Sequence, residues 1–333
     1  MAINIGINGY GRIGRILIRQ LINSNKFYVG AINSRSGVDE CLLKYDSVFG
    51  VFLPDKIKSE GGKLCIGEQK IDIHQETDAA RIPWNSSIDA VVDCTGSFKT
   101  YDDLSKHLRN NVRKVILSCP PKDDKIPMYI PGVNAQKYSG EPIISAASCT
   151  TNGLAPILKV LADNYPLKSA HVTTVHAVTQ SDNLLDGSHK KEKRMGRAAM
   201  ASIRETSTGA AKAITKIFPE LKGRVFVNAY RVPVPDGSLL DITAVFDSEI
   251  AIGDIKNLFR QYEAGDMKGL LATTTDPIVS CDCIGNPNSV IIDLNSIQKT
   301  AEKTIKIAAF YDNEWGYTAR IVDLLGIVFN KKL

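Results

Sequence analysis

Gly9-Tyr10-Gly11-Arg12-Ile13-Gly14 constrains the fold more than any other stretch, because of what flanks it. Ile3, Ile5 and Ile7 alternate with smaller residues ahead of it, the period of a strand, and Ile13, Ile16, Leu17 and Leu21 follow at helical spacing. Strand, glycine turn and helix in immediate succession open a βαβ unit. The glycines allow the tight turn, let backbone N–H groups approach a pyrophosphate at the helix start, and let helix and strand pack closely. Val29-Gly30-Ala31-Ile32-Asn33 reads as the second parallel strand. Ala90–Cys94 and Lys114–Ser118 read as later ones, with a polar helix over residues 100–111 between them. Such alternation implies a right-handed, mostly parallel sheet, here a Rossmann-type dinucleotide-binding domain.

About twenty residues after the glycines, sites for NAD place an acidic residue that accepts hydrogen bonds from the ribose 2′-hydroxyl. This chain has Asn33-Ser34-Arg35 there. A carboxylate would repel a 2′-phosphate, whereas a serine hydroxyl donates to it and an arginine pairs with it. Local electrostatics therefore favour NADP, with NAD also usable if Arg35 points into solvent.

After residue 150 the pattern changes. Ala170–His176, Arg224–Val232, Leu239–Phe246, Val290–Leu294 and Thr304–Tyr311 are longer strand patterns, typical of an antiparallel or mixed sheet. Helices are expected at residues 153–163, 209–217 and 254–263, and a final one from Tyr317 to about Asn330. The polar connection of residues 179–205 is too long to be idle in a compact domain. A chain of 333 residues accommodates two cores. The expected architecture is α/β: a dinucleotide-binding domain over residues 1–148 and an α+β catalytic domain with a mostly antiparallel mixed sheet over 149–312. Residues 313–333 are expected to return to the first domain as a helix.

Where the two halves meet, Ala147-Ser148-Cys149-Thr150-Thr151-Asn152 sets a thiol among hydroxyl and amide groups that make poor core residues. Pro142–Ser145 leads in as a strand and Gly153–Leu158 leads out at helical spacing, so Cys149 should begin a helix, whose N–H groups and dipole favour thiolate. The other cysteines bring the total to seven, an odd number without zinc-like spacing, which fits reduced thiols and no metal site. Cys281-Asp282-Cys283 reads as alternation within a strand. The N-terminus enters a strand without the pattern of a secretory signal, and no apolar run suffices to cross a bilayer, so a cytoplasmic protein is expected. The net charge of +5 includes one basic run, Lys190-Lys191-Glu192-Lys193-Arg194, read as a solvated loop. Lacking interleaved aromatics, it points to anionic small molecules as partners, not nucleic acid.

The glycine motif, Ser148-Cys149-Thr150-Thr151-Asn152 and His176 together closely resemble the phosphorylating glyceraldehyde-3-phosphate dehydrogenases. The resemblance runs over nearly the whole chain through Asn8–Arg15, Leu43–Ser47, Thr206–Lys212, Arg231-Val232-Pro233 and Tyr311–Tyr317. It implies that Cys149 attacks an aldehyde to form a thiohemiacetal, that His176 acts as base, and that inorganic phosphate cleaves the resulting thioester. It further implies glyceraldehyde 3-phosphate as substrate and two anion sites, Thr179 with Arg231 for the substrate phosphate, and Ser148, Thr150, Arg194, Thr208 and Gly209 for the attacking phosphate. For the cofactor it implies Gly9, Gly11, Arg12, Ile13, Gly14, Asn33, Ser34, Arg35, Thr95, Gly96, Ser118 and Tyr317, with Asn313 holding the carboxamide.

Departures from the family pattern bear on specificity. Family members that use NAD usually carry aspartate at the Ser34 position, and Ser188 is similar to the serine of NADP-using photosynthetic members. Thr77 stands where an arginine is common near the adenine, which removes one phosphate partner. Cys119 adds a thiol on the nicotinamide side with scope for oxidation chemistry. The resemblance also implies a homotetramer in which residues 179–201 form the loop packed against a neighbour's cofactor, with a dimer left open by the sequence. Two alternatives stand beside this reading: an erythrose-4-phosphate dehydrogenase, whose thioester is hydrolysed by water, and a binding protein that keeps the fold without catalysis.

Overall fold

The computed structural model describes residues 2–189 and 192–330, and the chain divides into two compact units. One comprises the described residues up to Ser148 together with those from Thr318 onward; the other runs from Cys149 to Tyr317.

The first unit is built on an eight-stranded sheet. Taken across the sheet, its strands are Ile143–Ser145, Lys114–Leu117, Ala90–Asp93, Ile3–Asn8, Phe27–Asn33, Gln69–His74, Lys63–Ile66 and Ile57–Glu60. The first six pair in parallel, as alternating strands and helices require, and the last two add an antiparallel edge. Ile5, Ile7, Val91 and Val92 are fully buried because the inner strands are covered on both faces. Glycine clears room for the largest core side chain: a Cβ at Gly6 would lie 2.9 Å from the Trp84 ring.

Only Tyr101–Ser105 of the expected helix over residues 100–111 forms. Thr100 caps it, accepting from the N–H of Asp103, but the chain then turns and Asn110 adopts a left-handed conformation. The reason lies in His107, which is fully buried, accepts from the Trp84 indole at 3.1 Å and has its Nε2 3.5 Å from the buried Asp93. Drawing a polar ring into the core competes with helical continuation, and here tertiary packing wins.

The second unit carries a mixed, mostly antiparallel sheet in the order Arg204–Thr206, Val225–Arg231, Leu167–His176, Ser238–Phe246, Thr304–Tyr311, Val290–Asp293, Leu271–Thr274, with Gln298–Ala301 paired to Thr304–Tyr311. Strict burial alternation along Ser238–Phe246 and Thr304–Tyr311 marks one face turned to the core. Helices Cys149–Asn164, Ala210–Ile217 and Ile252–Ala264 accompany the sheet. Residues 179–205 hold two 3-10 turns and the edge strand; Lys190 and Lys191 of the basic run lie outside the described residues. The segment expected to alternate as a strand at Cys281-Asp282-Cys283 is instead a 3-10 turn, Ser280–Cys283, because the Asp282 carboxylate accepts from the N–H of Val279 and closes the chain on itself. Among the described residues no helix is long and apolar enough to cross a membrane, and no cluster of three or more ligating side chains could hold a metal.

Candidate active site

In the first unit the glycine motif folds as its spacing requires. Gly9 has φ +109°, open to glycine and strained for other residues, and a Cβ there would lie 2.9 Å from the backbone of Cys94 and Thr95. Gly14 backs directly onto Gly9, where a Cβ would fall 2.0 Å from the carbonyl oxygen. Gly11 caps the helix Arg12–Leu21 without a side chain, so the first-turn N–H groups are presented to a ligand. This cradle fits a dinucleotide pyrophosphate. The side chain of Arg12 pairs with Asp46 and lies over Phe49, so the motif's contribution at Arg12 and Ile13 is backbone.

Asn33 is buried and its amide is committed within the protein: it donates to Asn8 and to the Glu76 carbonyl and accepts from the Glu76 N–H. It fixes the end of its strand for the residues that follow. Ser34 is half-buried and Arg35 exposed, one and two residues past the strand. Thr95 donates to Asp93 at 2.7 Å, Gly96 has φ +63°, and the N–H of Ser118 donates to the Asp93 carbonyl, so all three ride on the ends of neighbouring strands. Burial pushes the Cys119 thiol up to about 11, which leaves little thiolate for oxidation chemistry at neutral pH.

In the second unit Cys149 is the first residue of the helix Cys149–Asn164, two residues after Ala147, whose φ of +55° is a strained conformation for a residue with a Cβ. Its sulfur lies 3.3 Å from Nε2 of His176, the last residue of the strand Leu167–His176. His176 Nδ1 is 2.7 Å from the Ala177 carbonyl oxygen, to which the ring donates when Nδ1 carries its proton. In that tautomer the Nε2 lone pair faces Sγ. Burial pushes the His176 imidazolium down to about 3, and the neighbouring Arg231 guanidinium adds to this. Burial likewise raises the Cys149 thiol, against the Arg231 charge and the N–H and hydroxyl of Thr150. The helix start is where the sequence places it, but the thiolate expected from it is disfavoured by burial in the isolated side chain. The pair rests as thiol and neutral imidazole, poised to move one proton between them.

Arg231 reaches His176 because the strand Val225–Arg231 runs parallel beside Leu167–His176 with His176 opposite Arg231. Its Nη1 contacts His176 Nδ1 and donates to the Ala177 carbonyl at 3.0 Å. Behind it stands Asp182, whose side chain is fully buried. Asp182 accepts from the Thr179 N–H at 2.8 Å and hydroxyl at 2.9 Å, pairs with the buried Arg204 at 2.9 Å, and lies 3.7 Å from Arg231 Nε. One carboxylate thus holds Thr179 and Arg231 together.

Thr150 and Thr174 both meet the buried Tyr311 hydroxyl, at 3.2 and 2.7 Å. The Thr208 hydroxyl accepts from the N–H of Ala210 at the start of helix Ala210–Ile217, which follows the exposed Gly209. Arg194 is not drawn inward: its guanidinium is 65% exposed and paired with Glu205 at 2.8 Å. Ser188 is exposed, and its carbonyl accepts from Asn183. Asn313 is buried, and its Oδ1 accepts from the Ser238 hydroxyl at 2.6 Å, which leaves the Nδ2 donors for other partners. Tyr317 is buried in the first turn of the last helix.

Comparison with known proteins decides the family. The model of the glyceraldehyde 3-phosphate dehydrogenase NAD binding domain matches residues 3–101, and that of the C-terminal domain matches residues 148–313. The chain belongs to the glyceraldehyde-3-phosphate dehydrogenase family. It is 42% identical to glyceraldehyde-3-phosphate dehydrogenase 2 of Schizosaccharomyces pombe, with 98% of each chain covered. It is equally 42% identical to the glyceraldehyde-3-phosphate dehydrogenase of Priestia megaterium over the full length of both, and 41% identical to that of Colletotrichum lindemuthianum over 98% of this chain and 97% of the other. As a glyceraldehyde-3-phosphate dehydrogenase family oxidoreductase, it pairs a Rossmann NAD-binding domain with the family's C-terminal domain.

Sequence reasoning missed Asp182, Ser238 and Tyr311 in this family site. Each touches a residue that the motifs did single out: Asp182 meets Thr179 and Arg231, Ser238 meets Asn313, and Tyr311 meets Thr150. Ser238 and Tyr311 stand opposite each other in register, a signal that pairing of two alternating strands carries and local motifs do not.

Proposed function

We propose that this protein oxidises glyceraldehyde 3-phosphate with inorganic phosphate to 1,3-bisphosphoglycerate, reversibly, through a covalent Cys149 intermediate. The observation that carries this reading is the 3.3 Å approach of Cys149 Sγ to His176 Nε2. As Sγ forms a bond to the aldehyde carbon, its proton passes to Nε2, and the carbonyl oxygen takes up a proton to give the thiohemiacetal. Thr179 and Arg231 bind the substrate phosphate as charged and hydroxyl donors preset by Asp182. The bound dinucleotide supplies the hydride acceptor. His176 takes the hydroxyl proton as the thiohemiacetal is oxidised to a thioester. Inorganic phosphate then attacks the thioester carbon, the C–S bond breaks, and Sγ leaves as thiolate to recover its proton. Thr150, Thr208 and the N–H groups at Gly209 fit that second anion. Arg194 joins them by giving up an exposed ion pair that is worth at most about 1 kcal/mol.

NADP is the preferred cofactor in this reading, with NAD usable. The support is a serine and an exposed arginine where an acidic residue would exclude a 2′-phosphate. A homotetramer is supported by apolar side chains in solvent on residues 179–205, with Leu184 71%, Leu185 75% and Ile203 72% exposed. Seven unpaired thiols go with a reducing cytoplasmic setting. The deciding experiment compares oxidation of glyceraldehyde 3-phosphate and erythrose 4-phosphate with and without inorganic phosphate. Phosphate-dependent acyl phosphate formation from the triose is expected, and phosphate-independent acid release from the tetrose would replace this reading with hydrolysis.

A further inference from the structure

Two buried carboxyl groups in the second unit have no part in the chemistry above. Asp236 is 1% exposed, and neither of its carboxyl oxygens makes a well-formed hydrogen bond among the described residues, with only the N–H of the adjacent Gly237 close by. Asp312, 2% exposed, is differently placed: Oδ2 accepts from the N–H of Gly285 at 2.7 Å, and Oδ1 from those of Glu314 and Trp315 at 2.8 and 2.6 Å. The register that sets Ser238 opposite Tyr311 carries the two segments side by side, and the two carboxyl groups act directly on each other. Two buried carboxylates held together cannot both stay charged, so a proton lies between them. Three N–H groups favour charge on Asp312, so the proton belongs to Asp236, which then donates to Asp312. This gives one of the two orphaned oxygens of Asp236 a partner.

The position of the pair gives it a task. Asp236 is two residues before Ser238, and Asp312 is the residue before Asn313. The turn between the former two is tight, since a Cβ at Gly237, with φ +83°, would fall 2.2 Å from the Ser280 carbonyl oxygen. The Ser238 hydroxyl accepts from the Ala177 N–H at 3.1 Å, which leaves its own proton for Asn313 Oδ1 at 2.6 Å. The carboxyl pair therefore staples the two segments whose side chains form the Ser238–Asn313 bond.

We propose that Asp236 is a positioning residue: as a neutral carboxylic acid donating to Asp312, it clamps these two segments so that Asn313 keeps one amide orientation toward the carboxamide of the dinucleotide. This rests on the reading of Asn313 given above. The strongest charged groups facing Asp236 are acidic, Asp312 and Glu314, and they add to burial in raising it far above the usual carboxylate range. Its charge would in turn act on the thiols of Cys283 and Cys149, raising both. Loss of the proton at alkaline pH would set two anions against each other in the clamp.

The test measures binding of whichever of NAD and NADP the intact protein takes more tightly, and of the matching fragment without nicotinamide, from about pH 7 to about pH 10. The wild type is expected to lose about tenfold in affinity for the whole dinucleotide across the alkaline range and nothing for the fragment. Asp236→Asn, whose amide donates without titrating, should hold neutral-pH affinity and lack the alkaline loss; Asp236→Ala should be weakened at every pH. An infrared difference spectrum of wild type minus Asp236→Asn at neutral pH should show a protonated carboxyl stretch. An alkaline loss that persists in Asp236→Asn, or that the fragment shares, overturns the positioning role, and absence of the infrared band overturns the shared proton. Unchanged dinucleotide affinity in Asn313→Ala would overturn the reading of Asn313 itself, with the infrared band still reporting on the proton.

Discussion

Nε2 of His176 faces the sulfur of Cys149 at 3.3 Å while Nδ1 faces the Ala177 carbonyl at 2.7 Å, so one imidazole is locked at its far nitrogen and open at its near one. Replacing the ring with an amide keeps some polarity and removes the base. His176→Asn is expected to lower kcat by about 10²- to 10⁴-fold, with a much smaller change in substrate KM. Steady-state rates check this, and a variant within threefold or so of wild type would deny His176 its role.

Asp182 and Arg194 provide a contrast between buried and exposed charge. Asp182→Asn leaves the buried Arg204 without its charged partner and releases Arg231, so it is expected to cost about 3–5 kcal/mol of stability and to raise KM for the phosphorylated substrate. Arg194→Ala breaks a pair exposed at both ends and should cost under about 1 kcal/mol, while raising the KM for inorganic phosphate. Denaturant unfolding together with the two KM values separates the effects. Equal destabilisation by both changes would contradict the role given to Asp182.

Cofactor choice is expected to turn on Ser34. A carboxylate there would face the 2′-phosphate of NADP and accept from the 2′-hydroxyl of NAD, so Ser34→Asp should lower the NADP to NAD ratio of kcat/KM by about tenfold or more. Initial rates with both dinucleotides at matched concentrations give the ratio. If it does not fall, Ser34 is not the determinant.

The shared proton of Asp236 has a consequence for stability. Its folded-state value is raised past neutrality, largely by burial, while in the unfolded chain it titrates near 3.9. Between those values the folded state holds a proton that the unfolded state has released, so the wild type loses stability as pH rises through the window. Asp236→Asn has no such group. Its unfolding free energy should exceed that of the wild type by a margin that is small near pH 4 and widens toward neutral pH, to about 1–3 kcal/mol. Parallel curves for the two proteins would count against a proton held there.

The readable and unreadable parts of this protein differ in range. Gly9, Gly11 and Gly14 announce themselves because their function is in their own backbone and its immediate neighbours, and Cys149 because its polar neighbours suit chemistry better than a core. The strands were legible from period. The helix expected over residues 100–111 stops at Ser105 because His107 finds Trp84 and Asp93, partners 23 and 14 positions away in the chain that no local pattern reveals. Cys281-Asp282-Cys283 alternates like a strand, yet a single side-chain bond from Asp282 to the Val279 N–H turns it. Asp182 and Asp236 were equally silent in the sequence, since a buried carboxyl acquires its role only from the arginine or acid that folding brings against it.

The central claim is that the sulfur of Cys149 carries the substrate as an acyl group. Its most direct test is peptide-resolved mass spectrometry of the protein mixed with glyceraldehyde 3-phosphate and excess oxidised dinucleotide in phosphate-free buffer. A phosphoglyceroyl adduct on Cys149 that disappears when inorganic phosphate is added is the predicted result. Full reduction of the dinucleotide with Cys149 unmodified, or with the adduct on another residue, would contradict it.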